Sequence, residues 1–136
     1  MGKRTQTAEL EVQLLREGLV ESVHQVQAVV CDDKGRTLSS AGHPDSEVFV
    51  RSALKPFQAL AVTSTGTMET YRLTDKDLAI MCGSHRGAIE QARQAFNILW
   101  RADVAPSALQ CPVPAGKRSP LQHNCSGKHA GMLAVC

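Results

Sequence analysis

Ser52 and Lys55 stand three positions apart in the stretch Arg51-Ser52-Ala53-Leu54-Lys55-Pro56-Phe57. On a helical turn that spacing puts a hydroxyl and an amine on one face. A serine hydroxyl is a weak nucleophile at neutral pH until a base takes its proton. A lysine amine is such a base when burial or a neighbouring cation lowers its pKa, and Arg51 is the adjacent cation. The same Ser-x-x-Lys spacing serves acyl-transfer enzymes with a serine nucleophile. The plainer account of these residues is a strand-to-helix turn, with Ser52 as an N-cap and Pro56 in the first helical turn.

Two further stretches carry reactive groups. In Gly83-Ser84-His85-Arg86-Gly87 a serine and a histidine are neighbours. Adjacent residues rarely face each other, so His85 is not expected to be the base for Ser84, and the local sequence fits a glycine-flanked loop with a capping serine. In His123-Asn124-Cys125-Ser126-Gly127-Lys128-His129, the triplet Ser126-Gly127-Lys128 is like the end of a phosphate-binding loop. Gln122 occupies the position where that motif requires glycine, which rules the reading out. Cys125, with His123, His129, Cys111 and Lys128 nearby, offers metal donors, but there is no Cys-x-x-Cys and the spacing fits no standard zinc module. The alternative for Cys125 is a small buried apolar residue. All three stretches precede an expected helix, whose free N–H groups bind carboxylates and oxyanions. Three such ends could converge on a small anionic substrate.

The elements that must position these groups can be read from pattern. Residues 1–7 read as a loose leader, and residues 8–136 as a single domain without an internal boundary. Glu9–Leu15 alternates with period two, as a half-buried strand does. After a turn at Arg16-Glu17-Gly18, a long second strand is expected over Leu19–Cys31. The turn Asp32-Asp33-Lys34-Gly35 and a returning strand over Arg36–Ser40 complete an antiparallel meander. Val48-Phe49-Val50 reads as a short strand and Phe57–Val62 as a buried helix. Thr74 is a good N-cap for a helix that starts with Asp75 and Asp77. The strongest helical pattern is Ala88–Trp100, with an apolar face of Ile89, Ala92, Phe96, Leu99 and Trp100. Pro106–Leu109 fits one helical turn, and residues 110–126 read as a long loop of the kind that is often functional. The fold class expected is therefore α+β, a β meander followed by helices.

Bulk properties exclude several classes. The chain has 136 residues, 43% apolar and 21% charged, which fits a globular protein. Its formal charge is +2 with scattered Lys and Arg, and aromatics are 4%, so neither a basic stripe nor base-stacking platforms point to nucleic acid. No apolar run is long enough to cross a bilayer and no secretory signal is visible. Gln6 stands where a myristoylation signal needs Ser or Thr. Five cysteines with no export signal suggest free thiols or metal ligands in a cytoplasmic protein.

Taken together, the order Arg51-Ser52-x-x-Lys55-Pro56-Phe57-Gln58-Ala59, then Ser84-His85, then Asn124-Cys125-Ser126-Gly127-Lys128-His129-Ala130-Gly131-Met132-Leu133 resembles the L-asparaginase II family, the thermolabile, rhizobial-type asparaginases. The likeness runs from about Leu10 to Cys136, and the block Asn124–Leu133 is its most specific part. It implies a fold similar to part of the serine β-lactamases and penicillin-binding enzymes. It also implies hydrolysis of L-asparagine to L-aspartate and ammonia, with two Ser-Lys pairs sharing the work. Ser52 with Lys55 matches one pair, and Ser84 matches the serine of the other. Arg51, His85, Asn124 and Gly127 match positions in or near the substrate pocket. Cys125 and Lys128 match two ligands of a family zinc site; no organic cofactor is implied, and full-length members suggest a homodimer. His123 and Arg86 depart from the Asn and Ser that many members carry.

Family members are much longer, so the Lys expected for Ser84 and the third zinc ligand fall beyond Cys136. On that ground the chain is expected to be an incomplete, weakly active or inactive fragment. Which of Ser52 and Ser84 attacks is left open by the sequence. Two other classes of function stand beside amide hydrolysis of asparagine. One is a non-catalytic zinc-binding or interaction module on Cys111, His123, Cys125 and His129; the other is a Ser-Lys hydrolase acting on a different amide.

Overall fold

A computed structural model describes residues 5–136. The fold is α+β, as expected, with five strands in two small sheets and five helices among the described residues. The backbone groups into two compact units, one ending at Phe49 and the other running from Val50 to Cys136. The sequence reading drew no boundary at this point.

The first unit holds β1 (Thr5–Thr7), β2 (Leu10–Arg16), β3 (Leu19–Val26), β4 (Ala28–Cys31) and β5 (Thr37–Ala41). The β2–β3 hairpin forms around the predicted turn, with Leu10 opposite Val26 and Arg16 opposite Leu19. The expected single meander is not what forms. The long second strand breaks at Gln27, and β4 joins β5 in a separate three-stranded sheet of order β1-β5-β4. There β1 lies parallel to β5, so residues 5–7 of the presumed leader are a strand; residues 1–4 lie outside the described residues. The turn between β4 and β5 is tied by Asp32, whose Oδ1 accepts from the N–H groups of Lys34 and Arg36. The alternating residues of β2 and β3 are exposed on both faces, because a two-stranded ribbon has no layer of its own to bury them. Val48-Phe49-Val50 is not a strand, and Phe49 is 96% exposed. No neighbouring strand offers these three residues a ladder, and the Val50 carbonyl instead accepts from the Ala53 N–H of the turn that follows.

The second unit is helical: α1 (Lys55–Ser64), α2 (Thr67–Thr70), α3 (Asp75–Cys82), α4 (Ile89–Arg101) and α5 (Ser126–Val135). A 3₁₀ turn over Arg51–Leu54 leads into α1, and Gly66 ends the segment after α1 in the left-handed region. Thr74 is the N-cap of α3, as expected, and the Asp77 carboxylate accepts from both the Thr74 N–H and the Thr74 hydroxyl at 2.7 Å. The core gathers Ala59 and Val62 of α1, Met81 of α3, Ile98 and Leu99 of α4, and Ala130 and Ala134 of α5. The buried face of α4 is thus Ala95, Ile98 and Leu99, rotated from the one predicted: Trp100 is 70% exposed and Ile89 and Phe96 also face out. Three-to-four periodicity alone does not say which of two neighbouring apolar rows meets the core.

Helix α5 packs against α1, α3 and α4, and two glycines one turn apart allow it. A Cβ on Gly127 would collide with the Ile80 carbonyl, and one on Gly131 would sit 2.6 Å from Met81 Sδ. The Ile80 carbonyl is backbone and cannot move aside, whereas the Met81 thioether is flexible. Gly127→Ala is therefore expected to cost about 1–3 kcal/mol, more than Gly131→Ala. Urea unfolding of both variants checks the order; equal losses would contradict the backbone contact at Gly127.

Candidate active site

The structure brings the three reactive stretches together, but with a different pairing from the expected one. Lys55 begins α1 and its side chain turns inward, 2% exposed. Its Nζ donates to Ser84 Oγ at 2.6 Å and to the Gly83 carbonyl at 3.0 Å. No side-chain hydrogen bond joins it to Ser52. The link between those two is through the backbone, with the Lys55 N–H donating to the Ser52 carbonyl. The spacing argument assumed one regular helical turn, whereas the chain changes from a 3₁₀ turn to an α-helix at Lys55, leaving Ser52 exposed while the lysine reaches the end of α3. Ser84 thus has the Lys55 amine at hydrogen-bond distance. Among the described residues no carboxylate forms an ion pair with Lys55.

His85 is also buried, and its hydrogen bonds define its state. Nδ1 accepts from the Gly87 N–H at 3.1 Å, so the ring proton is on Nε2. Nε2 then donates to Ser126 Oγ at 3.0 Å, and the Ser126 hydroxyl donates to the Leu121 carbonyl at 2.7 Å. Burial, with smaller contributions from Lys55 and His123, lowers the His85 pKa below its ordinary 6.5. With both nitrogens engaged, His85 has no lone pair to take a proton from Ser84, in agreement with the sequence reading. Its N–H donates to the Asn124 carbonyl at 3.2 Å, which fastens the Ser84 loop to the start of α5. Gly87 permits the turn: its φ is +69° and a Cβ there would run into the Gln122 carbonyl.

The remaining predicted residues fall as follows. Arg51 is exposed and holds a left-handed φ of +49°, a conformation costly for a residue with a Cβ. Asn124 is exposed and engaged through its carbonyl. Gly127 is buried against Ile80 at the α5–α3 contact. Ser126, 0% exposed, stands in the sequence only as part of the triplet compared with a phosphate-binding loop; no spacing rule marks a serine that holds a histidine 41 positions away.

Cys125 stands at the N-cap of α5 and Lys128 lies in its first turn. Burial pushes the Cys111 thiol up, while the Lys128 charge works in the other direction. Among the described residues no group of three or more His, Cys, Asp or Glu side chains converges to hold a metal. His123 and His129 sit with ring centroids 6.5 Å apart, and buried His129 Nδ1 has no hydrogen-bond partner. The Cys/His module on Cys111, His123, Cys125 and His129 is not assembled as a metal site either.

Ser84 opens onto a cleft of about 440 Å³ between α3 and α4. A hydroxyl facing solvent space, with a buried amine behind it, is an arrangement that can carry out nucleophilic acyl transfer. Comparison with curated proteins gave no match. The family model for L-asparaginase II matches residues 12–136. The chain belongs to the L-asparaginase II family. No helix of the described residues is long and apolar enough to cross a membrane.

Proposed function

We propose that the chain is an amidohydrolase acting on L-asparagine, with Ser84 as nucleophile and Lys55 as its base. Family membership supports the reaction class and a small-molecule substrate. The observation that carries the assignment of roles is the 2.6 Å contact between Lys55 Nζ and Ser84 Oγ. In the reaction, the Lys55 amine, acting as base, takes the Ser84 proton as the oxygen attacks the side-chain amide carbon. The amine then passes that proton to the departing nitrogen, and ammonia leaves. A water, deprotonated by Lys55, attacks the aspartyl ester; L-aspartate is released and the proton returns to Ser84. His85 stays neutral throughout and holds the loop that carries Ser84.

The test is ammonia release from L-asparagine by the purified chain. Slow, saturable turnover is expected, and Ser84→Ala is expected to lower it by at least about a hundredfold. Turnover that persists in Ser84→Ala, or a folded chain that releases no ammonia, overturns the reading. A panel with glutamine and simple amides separates asparagine from the alternative amide substrates.

A further inference from the structure

Ser126 opens α5, is 0% exposed, and is fixed through both of its donors. Its N–H donates to the His123 carbonyl at 3.0 Å and its hydroxyl to the Leu121 carbonyl at 2.7 Å. A serine hydroxyl has one proton to give. With that proton on Leu121, the oxygen can only accept at its other contact, His85 Nε2 at 3.0 Å. Nε2 must then carry the imidazole proton, and Nδ1 is left bare to accept from the Gly87 N–H at 3.1 Å. In the other tautomer both contacts fail together. An Nδ1–H would face the Gly87 N–H, and a bare Nε2 would face an oxygen with no proton for it. A hydroxyl 41 positions away thus selects the ring form that the turn after Ser84 requires.

We infer that Ser126 is a positioning residue for Ser84, acting through the tautomer of His85. On one side of Ser84 the chain is held by Lys55, which donates to the Ser84 hydroxyl at 2.6 Å and to the Gly83 carbonyl at 3.0 Å. On the other side it is held at His85, whose N–H reaches the Asn124 carbonyl at 3.2 Å, and at Gly87, whose N–H needs the bare Nδ1. Gln122 grips the same turn by donating from Nε2 to the Gly87 carbonyl at 3.2 Å, but its hydrogen bonds do not involve the ring. Loss of the contact between Nδ1 and Gly87 loosens the backbone beside the attacking oxygen, where a misplacement of about 1 Å can cost a hundredfold in rate. The effect on rate rests on the hydrolase reading; the selection of the tautomer does not.

The test reads the ring and the reaction separately. In long-range proton–nitrogen NMR spectra of the wild-type chain, His85 is expected as the Nε2–H tautomer, and a ring with its proton on Nδ1 overturns the inference. Ser126→Ala is expected to admit the Nδ1–H form and to speed hydrogen exchange of the Gly87 amide by about fivefold or more, as for the loss of one hydrogen bond. Gln122→Ala, the control, loosens the turn and leaves the ring tautomer as it was. With L-asparagine, Ser126→Ala is expected to lower kcat by about tenfold to a hundredfold and to leave KM within about threefold, since no group that meets substrate has changed. If Ser126→Ala does not fold, Ser126→Cys takes its place, because a thiol is a weaker donor and acceptor and should move the ring in the same direction. A ring and a Gly87 amide unchanged in the folded variant, or a changed ring with kcat unaltered, overturns the inference. A wild-type chain that releases no ammonia overturns the hydrolase reading instead, and the ring spectra with the Gly87 exchange then decide whether Ser126 sets the loop.

Discussion

Lys55→Met is expected to reduce asparagine hydrolysis by about a hundredfold or more while the chain remains folded. The size follows from the usual contribution of a positioned general base, roughly 10²–10⁴ in rate. Methionine has nearly the length of the lysine stem and fills the same buried space, so the loss falls on proton transfer. Lys55→Arg should fail as well, because a guanidinium stays protonated and cannot act as a base at neutral pH. The same change separates the two serines. The Lys55 amine bonds to the Ser84 hydroxyl and not to that of Ser52, so Ser52→Ala is expected to keep turnover within about tenfold of wild type. Rates of ammonia release, with thermal unfolding of each variant as the control for folding, decide the matter. Full activity in Lys55→Met would remove the amine from the chemistry altogether, and collapse in Ser52→Ala with Ser84→Ala unharmed would return the amine to the pairing that the spacing suggested.

The second large effect concerns stability. Asp77 is 0% exposed and holds four donors: the Thr74 N–H and hydroxyl, Gln94 Nε2, and Arg101 Nη1 at 3.0 Å. It closes the cap of α3 and fastens α3 to α4, the two walls of the Ser84 cleft. Asp77→Ala would remove the cap and leave the Arg101 charge and the Gln94 amide without their partner. A loss of about 3–5 kcal/mol is expected, as for breaking a buried pair from one side. Chemical denaturation measures it, and a loss below about 1 kcal/mol, typical of exposed pairs, would show that water replaces the carboxylate.

The same residue sets an acid limit. Burial works to raise the Asp77 pKa, but the Thr74 and Gln94 hydrogen bonds and the Arg101 charge outweigh it and hold the group below its ordinary 3.8. The folded state binds this proton less readily than the unfolded chain. The stabilisation is therefore complete above about 3.8 and is lost as pH falls through the lower folded value. His85 acts in the same direction in a higher window. Its folded pKa is depressed, so its contribution is present above 6.5 and declines below that. Stability should fall in two stages on acidification, and Asp77→Asn should flatten the lower one.

Much of this was legible in the chain itself, and for local reasons. The cap at Thr74 and Asp77, the hairpin turn at Glu17-Gly18, and the junctions carrying Ser84-His85 and Asn124–Lys128 depend on residues within a few positions of one another. The specific run from Asn124 to Leu133 was enough to point to the family, which the match over residues 12–136 bears out. The helical period placed α4 to within a residue or so, but not its buried row. That row is chosen by what α5 presents, and α5 approaches closely because Gly127 and Gly131 carry no side chain.

Residue type and order, then, determined which groups could react and which short segments would hold them. Only the tertiary structure decided that the amine at position 55 meets the hydroxyl 29 residues away at Ser84, and that Ser126 holds the ring of His85 across 41 residues. The physical reason is that spacing rules describe one regular element at a time. The contacts that matter for this site arise where α1, α3 and α5 meet, and that meeting is set by burial and close packing over distances that no local pattern records.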